Sequence, residues 1–106
     1  MPSQSNFQEL KQTGVDADDD TIVSAGFDIA NNSFVAFGVE AESGAHDVHV
    51  VILDYSFDNA TWKPSGKEIT GVGFQNNIQA TMRYVRLRLK TKEGGPSVIT
   101  WYLQAK

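Results

Sequence analysis

Five residues near the C-terminus have the types and spacing to do chemistry on a polyanion: Tyr84, Arg86, Arg88, Lys90 and Lys92. Alternate residues on a strand point to the same side, so the four cations line one face at intervals of about 6.5–7 Å. That repeat resembles the spacing of a nucleic-acid backbone, and Tyr84 carries a ring on which a base can stack. The same row also suits a solvent-facing strand whose charges deter edge association and pair with acids on neighbouring strands. Trp62 is a second candidate platform, on which a sugar ring could lie.

The remaining polar residues point to little else. His46 and His49, the only histidines, are three apart and fall on opposite faces of a strand, so they cannot share a metal without a bulge. Asp47 and His49 share a face and could hydrogen-bond. Asp16, Asp18 and Asp20 stand at positions one, three and five of a would-be calcium loop. Thr21 and Phe27 occupy the places where that loop needs glycine and glutamate, so the pattern fails. No nucleophile–base arrangement or phosphate loop is visible, and Gly71-Val72-Gly73 lacks the strand–helix setting of a phosphate site. The expectation is a protein with no catalytic residues, no metal and no cofactor.

Charge is divided along the chain. Residues 1–60 hold eleven acids and one base, net −10, whereas residues 61–106 hold eight bases and two acids, net +6. Such a division marks either a nucleic-acid face, surfaces that attract each other between subunits, or two halves that neutralise inside one fold. There is no cysteine, hence no disulfide or thiolate site. No run of about 18 apolar residues offers a membrane span, so no membrane partner is expected. The start, MPSQSNFQEL, has neither the basic residues nor the apolar stretch of a signal peptide. These features leave the location open, with the cytoplasm expected on the missing signal peptide alone.

The elements that must position these residues read as strands. With 106 residues the chain is long enough for one domain with its own core. Residues 1–20 are polar and read as an arm or an edge-covering segment, leaving 21–106 as a single β domain. Segments 21–30 and 33–42 alternate and, joined at Asn31-Asn32, read as a hairpin. Segment 46–57 is apolar on both faces from Val48 to Leu53, as suits a strand covered on both sides. Asp58 and Asn59 supply a reversal, with Trp62 anchoring the returning chain. A short strand follows at about 67–72, and then 74–81 reads as a polar link. Residues 82–106 read as a long hairpin about Glu93-Gly94-Gly95-Pro96. One arm buries Val85, Leu87 and Leu89; the other buries Ile99, Trp101, Leu103 and Ala105, with Tyr102 outward. About six strands and no helical period predict an all-β antiparallel sandwich, jelly-roll-like, or alternatively a small closed barrel of Sm-like or SH3-like form.

Tyr55-Ser56-Phe57-Asp58-Asn59-Ala60-Thr61-Trp62 resembles the S-x-D-G-x-x-W reversal that precedes a YVRL strand in many β-sandwich modules, and Arg83-Tyr84-Val85-Arg86-Leu87 matches that strand. Discoidin-type (galactose-binding-like) domains carry both pieces. So do short bacteriophage virion proteins that close on an alternating strand ending in Ala-Lys, as Tyr102-Leu103-Gln104-Ala105-Lys106 does here. The resemblance covers roughly residues 34–106, with Asn59 in the place of the usual glycine. It implies a non-enzymatic virion structural protein that works through protein–protein surfaces, as a homo-oligomer or with other virion proteins. Two alternatives remain: a carbohydrate-binding module using Trp62 or Tyr84, and an Sm-like ring that binds RNA through the basic strand.

Overall fold

The computed structural model describes residues 8–16, 23–24, 26–29, 34–44, 49–79, 82–91 and 97–105. Their backbone forms eight strands: β1 (Gln8–Asp16), β2 (Phe27–Asp28), β3 (Phe34–Gly44), β4 (His49–Ser56), β5 (Lys63–Thr70), β6 (Gly73–Gln79), β7 (Tyr84–Thr91) and β8 (Ser97–Ala105). They make two antiparallel four-stranded sheets, in the orders β1-β8-β3-β6 and β2-β7-β4-β5. Within them β1 pairs with β8, β2 with β7, β3 with β6 and β4 with β5. The first half of the chain thus lies antiparallel to the second, and this ribbon is rolled into two layers, which is jelly-roll connectivity. The sandwich expectation holds, with eight described strands instead of about six. The closed Sm-like or SH3-like barrel does not, because each sheet keeps two edges.

The hairpin expected over 82–106 is corrected. Both arms are strands facing as the alternation requires, but β7 lies between β2 and β4 while β8 lies between β1 and β3 in the other sheet. The cause is burial. A hairpin would place both apolar rows on one side of a single sheet, still needing cover. In opposite layers, Val85, Leu87 and Leu89 can face Ile99, Trp101 and Leu103, and all six are at most 1% exposed. Segments 21–30 and 33–42 separate in the same way, β2 joining β7 and β3 joining β8 and β6. The turns placed at Asn31-Asn32 and Glu93-Gly94-Gly95-Pro96 lie outside the described residues.

Two further strands depart from their sequence pattern. The expected link 74–81 contains β6, an edge strand whose polar sequence, GFQNNIQ, buries only Ile78. The Gln75 side-chain amide donates to the Glu68 carbonyl of β5 at 2.6 Å, and the Tyr55 hydroxyl of β4 donates to the Gln79 carbonyl at 3.2 Å. Both bonds tie β6 to the facing sheet. β5 begins at Lys63, earlier than expected, because Pro64 is harmless on an edge strand where a missing N–H costs no ladder bond. Residues 8–16, read as arm or edge cover, run along β8 as a sheet edge. Gly14 N–H and the Thr100 hydroxyl both donate to the Glu42 carboxylate, at 2.8 and 2.6 Å. Those two bonds, Thr100 foremost, hold the Glu42 carboxyl below its usual range.

The core lies between the layers. Trp101, Phe37, Leu53, Leu87, Leu103, Val51 and Val85 are fully buried, while Tyr102 is half-buried on the outside. β4 is buried at every position from His49 to Asp54, in keeping with its two-sided apolar sequence.

The reversal after β4 is built from its own side chains. The Ser56 hydroxyl accepts from the Asn59 N–H at 2.9 Å, and Asp58 Oδ1 accepts from the N–H groups of Ala60 and Thr61 at 2.9 and 2.8 Å. The bonds from Thr61 and Ala60 hold the Asp58 carboxyl below its ordinary value. Asn59 sits at φ 61°, the left-handed region where glycine costs nothing. Asn59→Gly is therefore expected to leave stability unchanged or raise it by up to about 1 kcal/mol in a urea melt. Asn59→Val, β-branched and intolerant of positive φ, is expected to lower it clearly. Equal tolerance of both would contradict the turn. Gly26 packs beneath this reversal, where a Cβ would collide with the Asn59 side chain.

Candidate functional site

The basic row of β7 lies where alternation puts it, with Tyr84, Arg86 and Arg88 half-buried and Lys90 exposed on the outer side of their sheet. Lys92 lies outside the described residues. What the row faces decides its chemistry. Asp54 of β4 stands opposite Arg86 in the register and is 1% exposed. Arg86 Nε–H donates to Asp54 Oδ2 at 3.1 Å, Arg88 Nε–H to the same oxygen at 2.8 Å, and Arg88 Nη2 to Oδ1 at 3.2 Å. A carboxylate this buried needs such partners, since an isolated buried charge costs far more than any one contact returns.

Both aromatic platforms are likewise occupied on one face. The Arg86 guanidinium lies 4.5 Å from the ring centroid of half-buried Trp62, and Arg83 lies 5.3 Å from that of Tyr84. Arg83 also grips Asp28 with two bonds, at 3.2 and 3.0 Å, which hold its charge more firmly than usual. Thus Arg83, Arg86 and Arg88 from the basic half neutralise Asp28 and Asp54 from the acidic half. A phosphate backbone would have to share Arg86 and Arg88 with Asp54 to bind this row. The sequence carried a signal for that arrangement: Asp54 is a lone carboxylate in VVILDYS, a strand with no solvent-facing side.

His49 is fully buried on the side of β4 shared by Val51 and Leu53, and its carbonyl accepts from Gly71 N–H at 3.0 Å. His46, Asp47 and the acids from Asp18 to Asp20 lie outside the described residues. Among the described residues no three His, Cys, Asp or Glu side chains gather closely enough to hold a metal ion.

The opposite outer face, on the β1-β8-β3-β6 sheet, holds a feature the sequence reading missed. Two small residues of β3, Ala36 and Gly38, leave a depression there. The Tyr102 ring fills the part over Gly38, where a Cβ would collide with it, and lies 6.0 Å from the ring of Phe74. Burial foremost, then the Glu40 charge, pushes the Tyr102 phenol above its ordinary value. The part over Ala36 remains open as a shallow groove of about 230 Å³ between Phe34 and Phe74, lined also by Asn76, Asn77 and Gln104. Phe34 and Phe74 are 46% and 52% exposed, unusual for rings of this size. Phe34 was legible as a possible outward ring, since Val35 and Phe37 fix the inward phase. Phe74 was hidden inside the segment read as a link.

No protein-family model matches the chain, and no curated protein matches it. Among solved structures, PBSX exported protein XepA is 14% identical with a TM-score of 0.68, over 92% of this chain and 36% of that one. This chain therefore spans little more than a third of XepA's length. SPBc2 prophage-derived protein YomS is 8% identical with a TM-score of 0.56, over 94% of this chain and 95% of that one. At these identities the likeness is one of fold. Both proteins come from the bacteriophage side of the expected resemblance, and the discoidin-type side gains no support.

Proposed function

We propose that the protein is a non-enzymatic structural component of bacteriophage origin, working through contacts with copies of itself or with other particle proteins. The observation that carries this reading is the shared fold with two phage-derived proteins across more than nine-tenths of the chain. The surface supports it. Phe57, 64% exposed, lies in the reversal at one end of β5, and Val72, 50% exposed, lies just past the other end. Apolar residues at opposite ends of one sandwich suit a head-to-tail contact that closes into a ring or stack. RNA binding through β7 is the weaker reading, because Asp54 already engages Arg86 and Arg88.

Quantitative mass spectrometry of density-banded particles, induced from cells carrying the gene, tests the proposal. The chain is expected to co-band with the particles at a fixed ratio to their major proteins. Recovery solely from the unbanded soluble fraction would overturn it.

A further inference from the structure

We infer that the groove between Phe34 and Phe74 is a binding site for a neutral oligosaccharide. The inference goes beyond the structural role just proposed and does not depend on it.

The groove owes its shape to the register of β3. Phe34, Ala36 and Gly38 share the outer side of that strand, and Phe74 of β6 stands opposite Gly38. One aromatic post thus rises at Phe34 and another beside Gly38, four residues on, about 13 Å along the strand. Between them Ala36 makes a low floor. Gln104 of β8 pairs with Ala36 on one side. On the other, the β3–β6 register shifts between Val35 and Phe37, so that Asn76 and Asn77 both fall opposite Ala36. Regular alternation would turn one of those two side chains inward. The bulge, with Asn77 at φ 55°, leaves both exposed and lining the groove.

The lining chemistry selects the ligand. Among the described residues no ionisable side chain lines the groove, although 21% of the chain is charged. Three side-chain amides offer donors and acceptors at the centre, and rings stand at both ends. A sugar chain matches both: its hydroxyls pair with amides, and the C–H faces of its rings pack on aromatic side chains. Nearby charge is mixed, for Lys11 of β1 pairs with Tyr102. Glu9 accepts from Gln104 Nε2 at 3.3 Å, and Glu40 acts on Tyr102. With no cation among the described lining residues to hold a phosphate or carboxylate, nucleic acids, anionic lipid headgroups and acidic glycans are disfavoured there. An extended peptide added to the β6 edge fits less well, because the bulge interrupts the backbone ladder such a strand would extend.

A glycan array of neutral and acidic oligosaccharides, followed by calorimetry on neutral trisaccharides such as maltotriose, cellotriose and N,N′,N″-triacetylchitotriose, tests the inference. At least one neutral oligosaccharide is expected to bind. Phe34→Ala and Asn76→Ala are each expected to weaken that binding about tenfold or more, with unchanged melting temperature because both side chains are exposed. Four outcomes would overturn the inference: no neutral glycan bound on the array, acidic glycans bound in preference, apolar peptides bound in the groove instead, or affinity retained in the Phe34→Ala, Asn76→Ala double variant. A particle component without sugar affinity would sink this inference alone; a sugar binder absent from particles would sink only the structural role.

Discussion

The Arg86→Glu, Arg88→Glu double variant is expected not to fold stably, whatever it does to partner binding. In the native protein both guanidinium groups converge on one carboxylate, Asp54, which is 1% exposed and makes three hydrogen bonds to them. The variant would gather three carboxylates around one buried position. The two new ones sit on partly exposed stems and can turn to water, but Asp54 cannot, so its charge is left buried and repelled. Breaking a buried ion pair by removing one side costs about 3–5 kcal/mol, a large share of the roughly 5–15 kcal/mol that holds a domain together. Arg86→Ala alone should be milder, about 1–3 kcal/mol, because Arg88 keeps both of its bonds to Asp54. Urea melts followed by circular dichroism distinguish the cases. A double variant that melts like the native protein would show that the row is a surface charge pattern and that the Asp54 cluster is not part of what stabilises the fold.

Trp101→Ala is the second large effect. Trp101 is fully buried between the layers, and its indole N–H donates to Gln12 Oε1 at 2.7 Å. Removing so large a ring opens a cavity that the packed strands cannot collapse to fill, with an expected loss of about 3–5 kcal/mol. Trp101→Phe keeps most of the volume, losing the hydrogen bond and a smaller part of the packing. Because Gln12 is exposed and can bind water, the bond contributes about 1 kcal/mol and the whole change should cost about 1–3 kcal/mol. The order of urea midpoints should be native, then Trp101→Phe, then Trp101→Ala. A loss below about 1 kcal/mol for Trp101→Ala would mean that β8 does not face the core as drawn.

The faces of the strands were legible in the sequence, and their partners were not. Ile99, Trp101 and Leu103 announce an inward side because alternation has a period of two and needs no tertiary information. Which sheet receives that side is decided by how the two halves of the chain roll together. A run such as 82–106, with one glycine-rich break, is equally compatible with a hairpin and with two strands in opposite layers. β6 was invisible for another reason. An edge strand with a single buried residue, Ile78, has no apolar period to read.

The surface was legible where charge was concentrated, but what those charges face was not. The row from Arg86 to Lys90 stands out in sequence, but Asp54, thirty-two residues from Arg86 along the chain, engages its arginines. The groove on the other sheet is made of common, neutral residues brought together from β3, β6 and β8, and no local pattern connects them. The turn at Asn59 was readable in detail because its chemistry is local: Ser56 and Asp58 cap backbone groups two to three residues away.

We propose that copies of this protein associate through apolar residues such as Phe57 and Val72, while Arg86 and Arg88 are engaged by Asp54 within the fold. Light scattering on a sizing column, repeated from low to high salt at one protein concentration, tests that claim most directly. Contacts led by Phe57 and Val72 are apolar and should be insensitive to screening, whereas exposed charge pairs are weakened within a Debye length of about 8–10 Å at physiological salt. The expected result is one multimeric mass throughout the series, reduced by Phe57→Ser. A monomer at every salt concentration, or a multimer that falls apart as salt rises, would contradict it.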